Sequence, residues 1–407
     1  MRAYVLQKLR LKYLTIATRL LLVCILAAQM SFACSWDYPI WQIRSESANP
    51  LYRFVQNGKA GYIDRSGKVV IKPSIEVYGN SGDEFHNGLL HPSAAEAKYF
   101  DIAGKLVIEK NYSSAWDFSD GLAAALLEIN GKWGFIDRTG EFVISPRFIG
   151  YPNGYPYPFS EGLAMIDVGK RYGYIDHTGE FVIQPKFLYG TEFHDGMARV
   201  VVEGPCGYHG EGPCPDYRML GEHARGKVPP CKFSFIDKSG SLITNARFDY
   251  AKDFSEGLAP VRVRDKWGYI DKSGRMVIEP KFDDADPFSD GLARIEQGEL
   301  FGYIDHNGAV VIRPQFKVAD KFSDGLALVS NTWNEKEFAF RDYYYINKEG
   351  KQAIAEKFVV ASHFFKGLAH VQLRLNRRRA NTEDAIKGEF AYIDTSGKKV
   401  FVYEGER

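Results

Sequence analysis

Short apolar runs separated by turn residues recur along most of the chain. The run Trp133–Ile136 is followed by the segment Asp137–Gly140 (Asp-Arg-Thr-Gly) and then by a second run, Phe142–Ile144. β-Branched and aromatic residues in such runs are typical of half-buried strands. An Asp-x-Ser/Thr-Gly segment suits a tight turn, because the Asp caps backbone amides and the Gly closes the hairpin. The pattern therefore predicts β-hairpins, and no stretch after Ala33 shows a helical period.

This hairpin is one part of a longer internal repeat. Residues 132–148 (KWGFIDRTGEFVISPRF) return as KWGYIDKSGRMVIEPKF at 266–282, and related copies lie at 171–187 and 300–316. The turn Asp, or Asn in the eighth copy, marks nine copies: Asp64, Asp101, Asp137, Asp176, Asp237, Asp271, Asp305, Asn347 and Asp394. The base period is about 34 to 39 residues, so we expect an array of similar units.

A second block, Phe-Ser-Asp/Glu-Gly-Leu-Ala, follows most hairpins, as at Phe159–Ala164 and Phe254–Ala259. Its Gly-Leu-Ala part is interpreted as a third strand, so that each unit is a three-stranded antiparallel meander. Proline cannot donate to a β-ladder, so the prolines after the second run are expected to end that strand. They are Pro146, Pro185, Pro280 and Pro314. Glycines inside the first strand, such as Gly134 and Gly268, indicate close approach of a neighbouring ring or backbone.

Two copies keep the full Lys-Trp-Gly-Phe/Tyr-Ile-Asp signature, and their repeat residues are assigned structural roles. These residues are Trp133, Gly134, Asp137 and Gly140 in one copy and Trp267, Gly268, Asp271 and Gly274 in the other. The blocks resemble the bacterial WG-repeat family, also called KWG repeats, over roughly residues 59–401. Elsewhere Tyr172 or Phe301 replaces the Trp, and the copies near Tyr99, Phe233 and Tyr344 lose the Gly. The resemblance implies a β-rich repeat array, often exported or on the cell envelope, with no established activity and no catalytic residues.

The recurring turn carboxylates have a second interpretation as a ladder of calcium ligands, since they line one face of an array. A calcium loop needs several carboxylates close together, and Asp-x-Ser-Gly supplies one. The turn role therefore accounts better for Asp137 and Asp271. Core packing likewise accounts better than sugar stacking for Trp133 and Trp267. We expect no metal site and no cofactor.

A three-stranded unit cannot bury both of its faces alone, so neighbouring units are expected to stack. Propeller blades usually have four strands and number four to eight, whereas this chain has nine shorter units. The predicted class is therefore all-β, with an open, curved, solenoid-like array favoured and a closed or nearly closed propeller-like ring as the alternative. Residues 34–58 are assigned to an N-terminal cap, residues 59–371 to eight repeats, and residues 372–407 to a spacer and a partial ninth repeat that caps the other end.

Composition and charge narrow the class of protein. The chain has 407 residues, of which 45% are hydrophobic, and this content excludes a disordered protein. When the segment Met1–Ala33 is left out, 47 basic side chains face 51 acidic ones. A nucleic-acid binder normally shows a basic excess, so no nucleic-acid partner is expected.

The segment Met1–Ala33 has the pattern of a secretory signal peptide. Its five basic residues and no acidic residue precede the apolar run Leu20–Ala28, and Ser31–Ala33 forms a small-x-small cleavage site. The run is shorter than the roughly 20 residues that a spanning helix needs, so no spanning segment is expected after cleavage. An uncleaved membrane anchor and lipidation of Cys34 stay open as alternatives.

The spacing from Asp176 to Asp237 exceeds all the others because of a Gly/Pro-rich insertion at residues 204–232. The cysteines of the mature chain are Cys34, Cys206, Cys214 and Cys231, of which the last three lie in the insertion. In an exported chain a disulfide is the plainer interpretation, and a zinc site that includes His209 and free thiols are the alternatives. The pairing stays open. Loops that project from a repeat array commonly carry specificity, so Tyr208 and His209 are binding candidates.

A second excursion, residues 151–158, places Tyr151, Tyr155 and Tyr157 on a proline-stiffened loop. Exposed tyrosines suit stacking on sugars or anchoring a protein partner, whereas packing of the rings on the neighbouring unit is the simpler interpretation. Near the C-terminus, the basic run Arg377–Arg379 could meet an anionic lipid or polysaccharide. A solvated loop is the simpler interpretation of that run.

The sequence contains no Gly-x-Ser-x-Gly, P-loop, dinucleotide-binding glycine pattern or His-Glu-x-x-His. We therefore expect an exported, non-catalytic binding or scaffolding module in the periplasm, at the envelope or outside the cell. Its partner is expected to be a protein that contacts the concave array surface and the insertion. A binder of envelope glycan or peptidoglycan is the first alternative. The second is a hydrolase with a site assembled across repeats, because triad members need not be close in the chain.

Overall fold

A computed structural model describes residues 50–76, 84–92, 97–129, 131–149, 157–169, 171–204, 231–332, 342–375 and 387–406. Within these ranges every regular element is a β-strand and no helix occurs. The strands form nine small antiparallel sheets, one for each copy of the repeat, and the sheets are arranged as a ring of nine blades. The predicted all-β class is confirmed.

Strands β1 to β18 build the first five blades in chain order. Blade 1 contains β1 (Tyr52–Gln56), β2 (Lys59–Ile63) and β3 (Val69–Glu76). Blade 2 contains β4 (Phe85–His86), β5 (Leu89–Leu90), β6 (Ala97–Asp101) and β7 (Leu106–Lys110). Blade 3 contains β8 (Ser114–Ala115), β9 (Ala123–Leu126), β10 (Trp133–Ile136) and β11 (Phe142–Phe148). Blade 4 contains β12 (Phe159–Ser160), β13 (Leu163–Asp167), β14 (Tyr172–Ile175) and β15 (Phe181–Phe187), and blade 5 contains β16 (Tyr189–Gly190), β17 (Met197–Glu203) and β18 (Lys232–Asp237).

Strands β19 to β33 build the other four blades. Blade 6 contains β19 (Tyr250–Ala251), β20 (Leu258–Val263), β21 (Lys266–Asp271) and β22 (Met276–Phe282). Blade 7 contains β23 (Asp284–Ala285), β24 (Ala293–Gln297), β25 (Leu300–Ile304) and β26 (Val310–Phe316). Blade 8 contains β27 (Val318–Ala319), β28 (Ala327–Ser330) and β29 (Tyr344–Ile346). Blade 9 contains β30 (Val360–Ala361), β31 (Leu368–Leu375), β32 (Lys387–Asp394) and β33 (Lys399–Glu406).

Six of the nine sheets have four strands, so the predicted three-stranded unit was wrong. The additional strand has two residues, as in β8, and such a strand is too short to show an alternating pattern in the sequence. Hydroxyl groups link neighbouring blades close to these short strands, since Ser119 Oγ donates to the Phe159 carbonyl and Ser160 Oγ to the Phe193 carbonyl, both at 2.6 Å. The strand order places the short strand at the edge of each sheet opposite the strand that follows the Asp-x-Ser/Thr-Gly turn. We name the four strands inner, second, third and outer.

The Gly-Leu-Ala strand belongs to the hairpin that follows it, which corrects the predicted unit a second time. Strand β20 pairs with β21 from Leu258↔Asp271 to Val263↔Lys266, and β22 lies on the other side of β21. A short turn favours antiparallel pairing of the strands that it joins. The repeat unit found in the sequence therefore begins in one blade and ends in the next.

The prolines predicted to end a strand lie inside the outer strands instead. Pro280 lies within β22, and pairing with β21 resumes beyond it at Trp267↔Phe282. The register shift between Trp267 and Tyr269 marks a bulge, where a missing N–H costs no ladder bond. Pro146, Pro185 and Pro314 occupy the same place in β11, β15 and β26. An outer strand has a free edge, and proline there also hinders pairing with another chain.

Glycine inside the third strand lets the outer strand press against it, as predicted. A Cβ at Gly268 would collide with the Ile278 carbonyl oxygen and lie 2.8 Å from the Pro280 nitrogen. Similar backbone contacts occur at Gly134, Gly173 and Gly302. Blades 5 and 8 carry Ser234 and Tyr344 at this place, and there the outer strand is reduced to isolated bridges. Lys98 and Ala391 occupy this place in blades 2 and 9, where regular outer strands pair without a shift at this residue. The glycine is therefore required by the bulged, proline-containing outer strand and not by an outer strand as such.

The core lies between blades, where a ring of each third strand packs on the Phe that precedes the next second strand. Tyr303 meets Phe322 edge to face, with centroids 4.7 Å apart, and its hydroxyl donates to the Asp320 carbonyl at 2.7 Å. Eight junctions have such a pair, with centroids 4.7–5.2 Å apart: Tyr62–Phe85, Tyr99–Phe118, Phe135–Phe159, Tyr174–Phe193, Phe235–Phe254, Tyr269–Phe288, Tyr303–Phe322 and Tyr345–Phe364. Each blade thus buries the face of its neighbour.

The ring closes between blade 9 and blade 1, so the favoured open array gives way to its stated alternative, the propeller-like ring. Tyr392 of β32 packs on Tyr52 of β1, with centroids 5.6 Å apart, and its hydroxyl donates to the Arg53 carbonyl at 2.5 Å. In return the Tyr52 hydroxyl donates to the Lys366 carbonyl at 2.8 Å. Repetition of the same junction turns the chain by a similar angle at each step, and that angle is not readable from the sequence.

Tyr52 fills the space that the Phe ring fills at other junctions. It pairs with Ile63, and the equivalent second-strand residue in blades 3 to 9 is alanine. Phe54 of β1 also packs on Phe401 and Tyr403 of β33, with centroids 4.9 and 5.5 Å apart. The described parts of the two predicted caps therefore contact each other.

Candidate functional site

The antiparallel order divides the turns of every blade between two faces of the ring. One face holds the turns from inner to second strand and from third to outer strand; we name it the clamp face. The other holds the turns from second to third strand and the connections to the next blade; we name it the loop face. In blade 6, Glu256–Gly257 and Asp271–Gly274 lie on the clamp face, and Arg264–Asp265 lies on the loop face.

The clamp face is held together by one repeated hydrogen bond between blades. In the turn after the inner strand, an acidic residue precedes a glycine and both have positive φ, as in Asp195 (φ 55°) and Gly196 (φ 82°). The carboxylate accepts the glycine N–H of the next blade, and Gly257 N lies 2.6 Å from Asp195 Oδ2. The other links, at 2.5–3.1 Å, join Gly121 to Asn87, Gly162 to Asp120, Gly196 to Glu161, Gly291 to Glu256, Gly325 to Asp290 and Gly367 to Asp324. We name these seven links the clamp.

Basic residues in the Asp-x-Ser/Thr-Gly turns add a second contact to several clamp carboxylates. Lys348 Nζ lies 2.9 Å from Asp290 Oδ1, and His306 Nε2 lies 3.2 Å from Glu256 Oε2. These side chains are 32–41% exposed, so such contacts contribute little to stability. The stability of the clamp therefore comes mainly from the hydrogen bonds that glycine N–H groups donate to carboxylates.

Asp137 and Asp271 hold their turns. Asp271 Oδ1 accepts the N–H groups of Ser273 at 2.9 Å and Arg275 at 3.1 Å, and the Ser273 hydroxyl at 2.5 Å. These hydrogen bonds, the hydroxyl first, hold the pKa of Asp271 below its ordinary value. Gly274 and Gly140 close the two turns at φ 77° and 81°. The turn geometry thus accounts for the recurring carboxylates.

Charged side chains also connect blades 5, 6 and 7. Arg199 Nε lies 3.5 Å from Asp253 Oδ1, and Lys252 Nζ lies 2.6 Å from Asp286 Oδ1. Arg294 contacts Asp286 as well. All five side chains are 11–21% exposed. Largely buried charges of this kind require partners, and each of these side chains has an opposite charge within 3.5 Å.

Glu192 lies beside this charged layer and has a shifted protonation equilibrium. Its side chain is 21% exposed, and its Oε2 lies 4.0 Å from His194 Nε2. Burial raises the pKa of Glu192 to about 7, and the Asp253 charge adds to the increase. The junction between blades 5 and 6 therefore gains a group that titrates near neutral pH.

The loop face carries the long departures from the repeat. β17 ends at Glu203 and β18 begins at Lys232, so the insertion leaves and re-enters blade 5 on this face. The tyrosine loop joins β11 to β12, and the arginine run joins β31 to β32, again on this face. On the clamp face, all nine Asp/Asn-x-x-Gly turns keep one length. Variation in length is thus confined to one side of the ring.

An apolar groove of about 490 Å³ lies between blades 3 and 4. It is lined by Arg147, Phe148, Ile149, Asp167, Val168, Gly169, Gly179, Glu180 and Phe181. Ile149 and Val168 are 63% and 53% exposed, and Ile129 in the loop-face turn of blade 3 is 79% exposed. Among the large apolar residues that the structure describes, these three are the most exposed. Ile149 and Val168 lie together in the groove, and grouped exposed apolar side chains make it a candidate interaction site.

Most of the predicted binding and disulfide residues lie outside the described residues. They are Cys34, Tyr151, Tyr155, Cys206, Tyr208, His209 and Cys214. Tyr157 is half-buried against the core cluster of blades 4 and 5, and Cys231 is 8% exposed beside Phe233. Trp133 and Trp267 are core residues, 4% and 6% exposed. The sequence did not identify the clamp as a unit, because its acidic residues and glycines are joined only across blades.

The part of the chain that the structure describes lacks two kinds of feature. No helix there is long and apolar enough to cross a membrane. No group of three or more His, Cys, Asp or Glu side chains there is arranged to hold a metal ion.

The repeat matches a family model described as "WG containing repeat". The matched segments are residues 61–81, 99–133, 133–172, 172–204, 233–267, 267–300 and 301–331, which together exceed half of the chain. Several of these segments run from one third strand to the next, so the family unit has the same offset from the blade as the repeat found in the sequence. No curated protein sequence matches the chain.

Solved structures of similar shape have very different sequences. A eukaryotic initiation factor superposes with a TM-score of 0.56 and 12% identity, covering 88% of this chain and 97% of the other. Hsv2p from Kluyveromyces lactis superposes with a TM-score of 0.36 and 10% identity, covering 64% of this chain and 89% of the other. At this identity the first likeness concerns the fold alone, and the second is too weak to support an argument.

Proposed function

Because this chain belongs to the WG containing repeat family and closes into a propeller-like ring, we propose that it is an exported, non-catalytic module that binds a protein partner. Family and fold support a binding or scaffold role. The export part of the proposal is supported by the apolar run Leu20–Ala28 and the small-x-small segment Ser31–Ala33.

The proposal rests on a structural difference between the two faces of the ring. The clamp face has turns of constant length. Their polar groups form hydrogen bonds to the next blade, and these bonds hold neighbouring blades together. The loop face has the insertion, the tyrosine loop and the most exposed apolar side chains. In repeat proteins, insertions gather on one face, which is often the binding face. We therefore place the partner on the loop face.

The test captures envelope proteins with the chain from residue 34 to residue 407 and identifies them by mass spectrometry. Parallel captures use the Ile149→Asp/Val168→Asp variant and a chain in which a Gly-Asn turn replaces residues 205–230. We expect one protein to be enriched by the unchanged chain, and binding of that purified protein to weaken at least tenfold in one or both variants. Burial of an unpaired carboxylate in an apolar contact would cause the loss.

Arg275→Ala is the matched control, because Arg275 lies on the clamp face and its side chain is 78% exposed. Its binding should equal that of the unchanged chain. Loss of partner binding in Arg275→Ala alone would place the contact on the clamp face. Equal binding by all variants would remove both the groove and the insertion from the contact region.

We further propose that Cys231 forms a disulfide with a cysteine of the insertion. Cys231 is buried at the point where the chain enters β18, so a bond there would tie the insertion to the ring. The oxidising surroundings of an exported protein support such a bond. Peptide mass spectrometry without reduction should recover Cys231 linked to Cys206 or Cys214, whereas alkylation of Cys231 in the native, unreduced protein would contradict the bond.

A further inference from the structure

Blade 8 departs from the repeat where the outer strand normally presses on glycine. Strand pairing places Tyr344 in blade 8 where blade 7 has Gly302. A Cβ at Gly302 would lie 2.5 Å from the Ile312 carbonyl oxygen, so a tyrosine at this place excludes the bulged outer strand that blade 7 has. The outer segment of blade 8 keeps only isolated bridges, at Gln352 and Phe358.

A pocket of about 340 Å³ opens beside this displaced segment. Tyr344 forms one wall, and its hydroxyl accepts a hydrogen bond from Asn331 Nδ2 at 3.0 Å. Lys357 Nζ lies 5.7 Å from the centre of the Tyr344 ring and 3.9 Å from Asp342 Oδ2. The lining residues are Gln315, Phe316, Asn331, Thr332, Asp342, Tyr344, Gly350, Gln352 and Lys357. We name this space the blade 8 pocket.

Three lining residues differ from the residues that the repeat has at their places. Tyr344 replaces glycine, in a blade whose outer segment makes only isolated bridges. Gln352 lies opposite Ile346, at the place that Val310 occupies in blade 7. Asp342 replaces the lysine of the best-preserved copies. Departures from local folding rules are expected at functional sites, and here three of them meet in one pocket.

The chemistry of the lining selects a ligand class. An aromatic ring offers an apolar face on which the C–H face of a pyranose can stack. Planar amides supply a donor and an acceptor side by side, and a carboxylate supplies two acceptors, so both can bind neighbouring hydroxyl groups. Asp342 and Lys357 balance each other's charge, which favours a neutral ligand over an anion.

We propose that the blade 8 pocket binds a sugar unit of a neutral oligosaccharide. The volume of about 340 Å³ lies at the lower end of the range for small-molecule sites, about 300–1,000 Å³. Tyr344 stacks on the sugar ring, and Asn331, Asp342 and the side-chain oxygen of Gln352 bind its hydroxyl groups. The Gln352 Nε2 donates to the Ile354 carbonyl at 2.8 Å and so holds that side chain in place. This site is independent of the loop-face protein contact proposed above.

The test titrates residues 34–407 with cellotriose, maltotriose, chitotriose and, as the anionic probe, trigalacturonate, by calorimetry and saturation-transfer NMR. We expect at least one neutral trisaccharide to bind, and Tyr344→Gly to weaken that binding at least tenfold. Because the Tyr344 ring packs against the core cluster of blades 7 and 8, the melting temperature of Tyr344→Gly should fall, and binding is compared at a temperature at which both proteins are folded. Gln352→Val should also weaken binding, whereas Glu180→Gln, in the groove between blades 3 and 4, should leave it unchanged.

Absence of binding by all neutral probes would overturn the proposal, as would unchanged binding by Tyr344→Gly. Preference for trigalacturonate would overturn the neutral ligand class. Capture of the protein partner by Tyr344→Gly tests the loop-face proposal separately, so the two proposals fail independently.

Discussion

At the scale of single residues, the glycine of the third strand determines which form of outer strand lies beside it. Gly268 admits the bulged outer strand with its proline, whereas Lys98 and Ala391 lie beside the outer strands β7 and β33, which pair without a shift at this residue. Beside Ser234 and Tyr344 the outer segment makes only isolated bridges. The sequence showed that some copies lack the glycine, but the consequence depends on a carbonyl oxygen that approaches from the neighbouring strand.

The first prediction concerns this close approach in blade 6. Gly268→Ala should lower the free energy of unfolding by about 1–3 kcal/mol, the usual cost of overpacking, because the new Cβ would collide with the Ile278 carbonyl oxygen. The measurement is the midpoint of guanidinium unfolding. Val277→Ala on the adjacent outer strand, at a residue 39% exposed, should change stability by less than about 0.5 kcal/mol. Equal effects of the two variants would contradict the prediction.

The second prediction concerns Glu192, whose pKa burial raises to about 7. In the unfolded chain the pKa of a glutamate is about 4.3. The protonated side chain therefore favours the folded state fully below that value, and this contribution is lost as pH rises towards about 7. Relative to that of Glu192→Gln, which stays neutral, the melting temperature of the unchanged protein should fall between pH 5 and pH 7. If the melting temperatures of the two proteins changed in parallel with pH, Glu192 would not titrate in this range.

At the scale of elements, the clamp explains why an acidic residue precedes glycine in the second block. The acidic residue adopts positive φ, which is uncommon for side chains other than glycine, asparagine and aspartate, and its carboxylate reaches the glycine N–H of the next blade. In the sequence this Asp/Glu-Gly pair indicates only a turn. Its partner lies about one repeat away, so the link becomes visible only when blades are placed side by side.

The third prediction separates the two contacts of a clamp carboxylate. Asp195 Oδ2 accepts the Gly257 N–H, and Oδ1 lies 2.5 Å from Lys272 Nζ. Asp195→Ala leaves the N–H without its acceptor and should cost about 1–2 kcal/mol. Asp195→Asn keeps an acceptor, as Asn87 does naturally, and should cost less than about 1 kcal/mol. Thermal unfolding measures both, and an equal loss would show that the ion pair, not the N–H bond, holds the junction.

Strand prediction from the sequence succeeded where residues alternate and failed where they do not. The strands around Trp133 and Phe142 were predicted from their aromatic and β-branched residues and are present as β10 and β11. The two-residue inner strands were missed because two residues carry no period. The prolines were misplaced because the rule on ladder donors does not apply at a bulge, and Pro280 occupies one.

At the scale of the whole molecule, closure depends on a junction that differs from the other eight. Tyr392 packs on Tyr52 where other junctions use a Phe. The repeat count of nine was readable from the sequence. Closure was not, because it depends on the angle between blades and on contacts such as the hydrogen bond from the Tyr392 hydroxyl to the Arg53 carbonyl, across 339 positions of the chain.

The fourth prediction tests this closing junction at Gly405. A Cβ there would collide with the Val55 carbonyl oxygen of β1 and lie 2.7 Å from the Tyr403 ring. Gly405→Val should therefore lower the melting temperature and accelerate amide hydrogen exchange in β1 and β33 more than in blades 3 to 7. Val402→Ala on the same strand, at a residue 46% exposed, is the control and should do neither. Uniform acceleration around the ring would contradict a local role in closure.

The confinement of length variation to the loop face has a consequence for how such a protein can change. The clamp and the aromatic pairs involve other parts of each blade, so a longer loop-face connection costs mainly closure entropy, about 0.6 kcal/mol for each doubling of length. New recognition segments can therefore be exchanged at low cost in stability, one blade at a time. Each of the nine blades has a loop-face connection at which a new segment can be inserted. The ring can therefore serve as a framework for grafted loops, as an antibody domain does for its hypervariable segments.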